Sequence, residues 1–368
     1  MISKDRVLNL FMDLVKIDSP SLKEKNVADY LFSLMEEKGY NVTNDCAGDA
    51  CGGNTGNIFV RIPATGEGEP IAFSAHMDCV SPCCGVVPVV KDDIVYSSGD
   101  TVLGGDDKSG LAIMIEAVNH LEEESILHPE IYFMFSICEE SGMHGAINMD
   151  RSLLPVKNIL VLDSSGDVGR IITESPAQAS INITFKGKSA HAGISPESGI
   201  SAIQIAAEAI YNMNLLRIDK ETTANLGRIE GGGATNIVTD KVTLTAEARS
   251  TKDESLQCQL DHMKKCCTDA AAKLGGMCKF GYEISYPALH IDEKSKLLAK
   301  VEQSCRNIGI NPKLDSTGGG SDANILYGKG YTALTLGVGM SKVHTVDEFI
   351  AVKSLTDCAE LVADIMKC

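Results

Sequence analysis

The sequence lacks the features that mark several large classes of protein. No apolar run among its 368 residues approaches the ~18 that a membrane-spanning helix needs. The amphipathic N-terminus has neither the continuous apolar core nor the cleavage site of a signal peptide. Basic residues are scarce, with 33 Lys and Arg against 50 Asp and Glu and a formal net charge of −17. This imbalance disfavours nucleic acids and anionic membranes as partners, and we expect a cytoplasmic protein.

The cysteines lack the pattern of a disulfide framework. Thirteen of them are scattered irregularly through a large chain, as is typical of reduced thiols in a cytosol. The segment CVSPCC at 79–84 holds three, but their spacing makes no C-x-x-C pair. A cysteine-based zinc or iron–sulfur site, and hence a redox protein, is therefore a minor alternative. An absorbance spectrum without cluster bands would remove it.

Internal repeats and low-complexity segments are also lacking, and the length of the chain predicts two domains. Short apolar runs rich in branched and aromatic residues are predicted as buried strands at 57–62, 70–76, 130–137 and 158–163. Helical stretches alternate with them, notably at 108–121. This alternation favours an α/β layer with helices on both faces of its sheet.

The pattern changes near Pro176 and returns after Pro287. The segment ASINITFKG at 179–187 alternates polar and apolar residues, as does a strand with one face in water. Between the two prolines the predicted order of elements is β-α-β-β-α-β, which is that of a ferredoxin-like α/β sandwich. We therefore predict that residues 176–287 are inserted into a discontinuous domain of residues 1–175 and 288–368.

Polar residues gather where predicted strands end or a helix begins. They are His76 and Asp78 after strand 70–76, Glu139 and Glu140 after 130–137, Asp163 at the end of 158–163, Asp106 and Asp107 at a helix start, and His344 after 331–337. Ligands of α/β sheets collect at the carboxyl ends of the strands, so we expect these side chains at one edge. So many carboxylates repel one another unless a cation lies among them.

The donor set indicates which cation this edge would suit. Histidine and carboxylate without thiolate suit Zn²⁺, with Co²⁺ or Mn²⁺ as substitutes. The set is large enough for two metals that share one carboxylate, ~3.5–4 Å apart. Each residue alone has an ordinary explanation: His76 as a strand-end histidine, Asp106 and Asp107 as a helix N-cap pair, Glu139 and Glu140 as a solvated pair. Their conjunction at one predicted edge favours the metal site.

Five segments in this order, SAHMD, GGDDKSG, CEESG, VLDSSG and VHTVDE, resemble the di-zinc exopeptidases that include peptidase T, carboxypeptidase G and aminoacylase. The resemblance covers nearly the whole chain. KGKSAHAGISPESGISAI and GRIEGGGATNIVTDKVTLTAEARS resemble the inserted lid domain of that family. GGDDKSG and the turn GGGSDAN are most similar to the peptidase T branch.

The resemblance implies a fold for each domain and a role for each residue. Residues 1–175 and 288–368 would form a catalytic domain of phosphorylase/hydrolase-like α/β fold with a mixed sheet, and 176–287 a ferredoxin-like α+β lid that forms a homodimer. The implied site roles are His76 and Asp163 on one zinc, Glu140 and His344 on the other, Asp106 bridging both, Asp78 bonded to the second ring nitrogen of His76, and Glu139 as general base. The peptide bond between Asp106 and Asp107 would be cis.

Residues of the inserted segment resemble the family's substrate contacts. They are His191 in SAHAG, Asn236 and Arg249, and the Gly-rich turn adds Gly319. A guanidinium such as that of Arg249 fits a carboxylate through two parallel hydrogen bonds, and Gly319 allows backbone to approach a substrate closely. The ordinary alternatives are a strand-end histidine at His191 and a surface salt bridge at Arg249. Asp322, in the same turn, is explained by the start of a helix.

The resemblance implies an aminopeptidase that removes the N-terminal residue of short peptides, tripeptides above all, in peptide catabolism. A water that bridges the metals would lose its proton to Glu139. A dipeptidase or a deacylase of N-acyl amino acids, both of the same family, remain open as alternatives. A non-catalytic protein that binds metal or peptide is the alternative from another class. The base at Glu139 argues against it, since binding alone does not need one.

Overall fold

Residues 2–368 are described by the computed structural model, and their backbone separates into two units. The first unit contains the chain up to Thr173, together with Ile291–Ser316 and Ser321–Cys368. The second unit contains Glu174–His290 and Thr317–Gly320. Each unit has its own sheet and its own helices, so each is described separately.

The helices of the described chain are α1 (Lys4–Val15), α2 (Lys25–Glu37), α3 (Gly105–Glu123), α4 (His144–Asn148), α5 (Ala202–Asn212), α6 (Asp253–Leu274), α7 (Lys296–Asn307), α8 (Asp322–Gly328) and α9 (Val352–Met366). None of them is long and apolar enough to cross a lipid bilayer. Helix α3 is buried around almost its whole circumference, as is typical of a helix enclosed by other elements. It packs against α1, α9 and strands of the first unit's sheet.

The strands of the described chain are β1 (Asn41–Asn44), β2 (Ile58–Ile62), β3 (Ile71–His76), β4 (Pro88–Lys91), β5 (Ile94–Ser97), β6 (Ile131–Ser136), β7 (Asn158–Ser164), β8 (Arg170–Ser175), β9 (Ala177–Lys186), β10 (Leu216–Arg217), β11 (Thr222–Gly231), β12 (Lys241–Ser250), β13 (Met277–Tyr286), β14 (Leu289–His290), β15 (Lys313–Ser316), β16 (Thr332–Gly337), β17 (Met340–Ser341) and β18 (Phe349–Ala351).

The main sheet of the first unit follows the order β1-β2-β6-β3-β7-β16-β8. Strand β3 runs parallel to β6 and β7, and β16 runs parallel to β7, whereas β2 is antiparallel to β6. Every residue of β3 and β6 is buried, which explains why both are continuous apolar runs rather than alternating ones. The prediction of a mixed α/β sheet covered by helices is confirmed.

A smaller sheet of the first unit, in the order β17-β18-β5-β4, was not predicted from the sequence. Its strands are two to four residues long, which is too short to show a period of two. The turn between β4 and β5 consists of Asp92 and Asp93, both at positive φ (52° and 57°). Such a pair suits a tight hairpin, since aspartate tolerates the left-handed region better than most residues.

The second unit has an antiparallel sheet in the order β10-β11-β12-β9-β13, and α5 and α6 pack against it. Alternate residues of β9 are buried, from Ala177 and Ala179 to Phe185, which confirms the predicted alternation. The chain order β9-α5-β11-β12-α6-β13 and the central place of β9 are those of a ferredoxin-like sandwich. The fold predicted for this segment is confirmed.

Candidate active site

The carboxyl ends of the parallel strands bring the predicted site residues together. Strands β3, β6, β7 and β16 form a continuous parallel set, so their carboxyl ends lie at the same edge of the sheet. His76 is the last residue of β3 and pairs in register with Ser136, the last residue of β6. Glu139 and Glu140 follow Ser136 after a short turn, and Asp163 lies near the end of β7.

One group of donor atoms surrounds His76. Its Nε2 atom lies 3.2 Å from Oδ1 of Asp106 and 3.8 Å from Oδ1 of Asp163. The His76 side chain is buried, and the two carboxylates are nearly so. Asp107 also belongs to this group, but its carboxylate accepts hydrogen bonds from the backbone N–H of His76 (3.2 Å) and of Gly110 (3.2 Å). We therefore assign Asp107 to the support of the site.

A second group surrounds His344, which is half-exposed. Its Nε2 atom lies 3.2 Å from Oδ2 of Asp106 and 3.0 Å from Oε1 of Glu140. Asp106 thus presents one carboxylate oxygen to His76 and the other to His344. A carboxylate shared between two cations has this arrangement. The peptide bond between Asp106 and Asp107 is cis, as the resemblance implied.

The charges of this cluster fit a pair of divalent cations. Burial, with the nearby charges of Glu139 and Asp106, raises the pKa of Asp163 well above its ordinary value. Burial likewise raises the pKa of Glu139 well above that of a free glutamate. The buried Oε1 atom of Glu140 has only the half-exposed imidazole of His344 near it, at 3.0 Å. Cations between these carboxylates would relieve the repulsion among them.

Asp78 supports the site in a way that differs from the sequence expectation. Nδ1 of His76 lies 3.0 Å from the backbone carbonyl oxygen of Asp78 and 3.4 Å from its carboxylate. The same carboxylate accepts hydrogen bonds from the backbone N–H of Glu139 (2.9 Å) and Glu140 (3.2 Å) and from the hydroxyl of Ser21 (2.6 Å). Asp78 therefore orients the imidazole mainly through its carbonyl and positions the two glutamates through its side chain.

Glu348 is a site residue that the sequence reasoning missed. Its buried carboxylate accepts hydrogen bonds from the backbone N–H of Gly104 (2.8 Å) and of Asp106 (2.9 Å). It stands four residues after His344, in the segment VHTVDE, so it ties the His344 loop to the loop that carries Asp106. The sequence offered one indication of this residue, which is that Glu348 ends the segment VHTVDE. One more glutamate in so acidic a chain gave no reason to single it out.

The predicted substrate contacts all lie in the second unit. The structure brings His191 close to Asn236: His191 forms a β-bridge with Ile237, and the N–H of Ala192 donates to the carbonyl of Asn236 (2.9 Å). The His191 side chain is exposed. Nδ1 of the His191 imidazole accepts a hydrogen bond from the backbone N–H of Gly193 (3.2 Å).

Arg249 lies beside the Gly-rich turn that contains Gly319. Its Nε and Nη2 atoms donate to the two carboxylate oxygens of Glu247 (3.0 and 3.1 Å), and Nη1 donates to the carbonyl of Gly318 (3.4 Å). The ordinary alternative of a salt bridge is therefore present. A role in binding a substrate carboxylate stays a prediction, with Nη1 as the nitrogen that the Glu247 pair leaves for it.

Metal-free protein should become less stable as the pH rises from about 6 to about 9. Burial raises the pKa of Asp163, and hydrogen bonds to Asp106 and Glu140 raise the pKa of His344 to about 10. Both groups hold protons in the folded state that the unfolded chain has already released, so this stability is lost as the pH rises through the folded-state values. Thermal unfolding with a chelator at three pH values measures the trend.

Added Zn²⁺ is the control for this pH experiment. Metal ligands must be deprotonated to bind, so zinc binding strengthens with pH and should flatten or reverse the trend. A melting temperature of the chelated protein that rises over the same interval would contradict the prediction.

Comparisons with known proteins identify the family of the chain. The family model described as Peptidase family M20/M25/M40 matches residues 72–367. The solved structure of aminopeptidase PepT from Bacillus cereus ATCC 10987 is 41% identical with a TM-score of 0.93, and the match covers 99% of this chain and 98% of that chain. A tripeptidase (SAV1512) from Staphylococcus aureus is 39% identical with a TM-score of 0.96, covering 100% and 98%.

A curated relative extends the similarity along the whole sequence. The uncharacterised protein YqjE of Bacillus subtilis strain 168 is 41% identical over 367 residues, which is 100% of this chain and 99% of that protein. The family model covers most of the chain and includes every residue of the proposed metal centre, from His76 to His344. The chain is therefore a peptidase and belongs to Peptidase family M20/M25/M40.

Proposed function

We propose that the protein is a zinc-dependent aminopeptidase that removes the N-terminal residue from short peptides, tripeptides in particular. The observation that carries the proposal is the carboxylate of Asp106, whose two oxygens face His76 and His344 separately. Similarity to structures named as an aminopeptidase and a tripeptidase, at 41% and 39% identity, supports the substrate class.

The proposed metal ligands are His76 and Asp163 for one Zn²⁺, Glu140 and His344 for the other, and Asp106 for both. These nitrogen and oxygen donors, without thiolate, fit Zn²⁺ and would also accept Co²⁺ or Mn²⁺. When bound, the metal pair would supply Lewis acidity, which polarises the scissile carbonyl and lowers the pKa of water.

Glu139 is the proposed general base. Its raised pKa suits a group that takes a proton from the attacking water and returns it to the leaving amine near neutral pH. Asp78 accepts the backbone N–H of both Glu139 and Glu140, so the base and the adjacent ligand keep one fixed relation. Glu348 holds the backbone of Asp106 in the same manner. The residues of the chain thus position a proton acceptor beside the site where a peptide carbonyl would lie.

We further propose that the first unit is the catalytic domain and the second unit a lid and dimerisation domain. His191 and Asn236 would contact the peptide backbone, Arg249 its terminal carboxylate, and Gly319 would allow close backbone approach. A homodimer in the cytoplasm is the proposed state. All thirteen cysteines are unpaired, which supports a reducing compartment.

Hydrolysis of a matched substrate set tests the function. The set is a tripeptide, its N-acetylated form, its C-terminal amide and the corresponding dipeptide, each with zinc-reconstituted protein and a chelated control. The proposal would be established if the protein cleaved the free tripeptide faster than the other members of the set and lost this activity on chelation. Preference for the acetylated form would identify a deacylase, and preference for the dipeptide a dipeptidase. No cleavage of any member by metal-loaded protein would refute the proposed substrate class.

Arg249→Lys should raise KM for the free tripeptide by about tenfold or more, because an ammonium cannot hold Glu247 through two nitrogens and present a third to the substrate carboxylate. The C-terminal amide of the same peptide should show little change, since it offers no carboxylate. Steady-state kinetics on both substrates measure the difference. Arg228→Lys, at an exposed position of the neighbouring strand β11, is the matched control. Equal effects on the free and amidated peptides would contradict the assignment of Arg249.

A further inference from the structure

Two buried thiols lie immediately beyond the proposed active site. They belong to the segment 79–85, here named the thiol loop, which begins one residue after Asp78. Cys79 and Cys83 are each 2% exposed and share a small apolar cluster with Val102. The thiol of Cys83 donates a hydrogen bond to the carbonyl oxygen of Cys79 (3.4 Å), which holds it against the backbone of Cys79. The structure therefore holds two free thiols in one buried cluster, four positions apart in the chain.

The thiol loop and the carboxyl end of β3 share the same anchor. The N–H of Cys79 donates to the carbonyl of Ser19 (3.0 Å), and the Ser19 hydroxyl donates to the carbonyl of Met77 (2.8 Å). At the other end of the loop the N–H of Gly85 donates to the carboxylate of Asp18 (2.7 Å). A displacement of Cys79 would therefore also displace Ser19 and Met77, and Met77 is next to His76 in the chain.

The surroundings of the pair favour a reactive thiolate. Lys108 is buried beside the thiols and donates a hydrogen bond to the carbonyl of Ile17 (2.6 Å). The hydrogen bond with Cys79 and the charge of Lys108 lower the pKa of Cys83 to about 7, although burial opposes them. Cys84, next to Cys83 in the chain, is exposed, which gives soluble thiols a point of entry for exchange.

We propose that Cys79 and Cys83 are a redox-sensitive dithiol that closes to a disulfide on exposure to hydrogen peroxide and thereby lowers the hydrolytic activity of the adjacent site. The Cys83 thiolate attacks a peroxide oxygen, the O–O bond breaks, and the departing hydroxide takes a proton to give water. The Cys79 sulfur then attacks the resulting sulfenic sulfur, the S–O bond breaks, and a second water leaves. Two electrons from the thiols reduce one peroxide to two waters.

The position of Cys79 explains why closure should affect catalysis. A disulfide requires the two sulfurs, which are not bonded in this structure, to approach to about 2.05 Å. Cys79 is bonded to Asp78, whose carboxylate accepts the backbone N–H of both Glu139 and Glu140. Movement of Cys79 would therefore shift the proposed general base and a proposed metal ligand together, and catalysis is sensitive to such shifts.

The test exposes reduced, zinc-loaded, full-length protein to hydrogen peroxide, removes the peroxide with catalase, and follows two readouts. Peptide mapping without reduction should find a bridge between Cys79 and Cys83. Hydrolysis of the peptide that the reduced enzyme cleaves should fall by about tenfold or more and recover with dithiothreitol. C83S and C83A should resist this loss, whereas C84S and C278S should remain sensitive. Cys278 is the matched control, since its thiol pairs with Cys267 in the second unit.

Three results would overturn the inference. They are the absence of a bridge between Cys79 and Cys83, a complete bridge with full activity, and inactivation of C83S at the wild-type rate. The mapping does not depend on the proposed function. If reduced enzyme cleaved no peptide at all, the proposed function would fail, while the bridge and the zinc content of oxidised protein would still decide whether the dithiol closes and disturbs the site.

Discussion

Glu139→Gln should lower kcat by about 10²–10⁴-fold and leave the zinc content of the protein unchanged. The amide keeps the size of the side chain but cannot accept and return a proton. The backbone N–H of Glu139, which donates to Asp78, is unaffected by the substitution, so the turn that carries Glu140 should stay in place. Kinetics with the cleaved peptide, together with metal analysis of the same preparation, separate proton transfer from metal binding.

Glu37→Gln serves as the control for charge removal, because Glu37 is exposed at the end of α2. It should retain wild-type kcat. Wild-type turnover in the Glu139 variant would exclude Glu139 as the base. A loss of activity accompanied by an equal loss of zinc would instead make Glu139 a metal ligand, in disagreement with the roles proposed above.

The sequence was sufficient to predict which residues gather in the candidate site, because strand ends and chain order determine this. His76 and Asp163 each lie at the carboxyl end of a continuous apolar run, and such runs are the most recognisable strands. Parallel neighbours in a sheet then bring those ends together without further information. The cis bond after Asp106 and the shared position of its carboxylate were accessible only through the family resemblance, since no periodicity reports them.

Other contacts could not be predicted because they depend on the packing of segments that are far apart in the chain. Asp322 was predicted only as a helix start, and it does begin α8. It also accepts a hydrogen bond from Ser136 (2.5 Å), and its charge contributes to the raised pKa of Glu139. Glu348 likewise accepts hydrogen bonds from backbone N–H groups that lie 244 and 242 positions earlier in the chain. Contacts between residues so far apart in the chain cannot be inferred from the local pattern of polar and apolar residues.

Asp78 shows how a residue can be identified while its contacts are not. The spacing His-x-Asp suggested a supporting role beside His76, and the structure places Asp78 there. Which oxygen reaches the imidazole, and what the carboxylate does instead, depend on the rotation of one side chain against a neighbouring turn. That turn follows β6, and the register of β6 with β3 is set only in the folded sheet.

Asp106→Ala should abolish most zinc binding at both positions and lower peptide hydrolysis by about 10³-fold or more. Asp106 is the carboxylate that faces both His76 and His344, so its removal takes a ligand from each metal at once. Asp163→Ala and His344→Ala each remove a ligand from one metal only and should retain more zinc. Metal analysis after dialysis against buffered Zn²⁺ ranks the three variants.

Thermal unfolding gives a second readout for Asp106→Ala that does not depend on any substrate. A ligand at ~100 times its Kd stabilises the folded state by about 2.7 kcal/mol, so Zn²⁺ should raise the melting temperature of the wild type. Asp106→Ala should show little of this increase, whereas Asp100→Ala, at an exposed position shortly before α3, should show all of it. If Asp106→Ala bound as much zinc as the wild type and gained the same stability, the carboxylate would not be shared, and the two histidines would belong to independent sites.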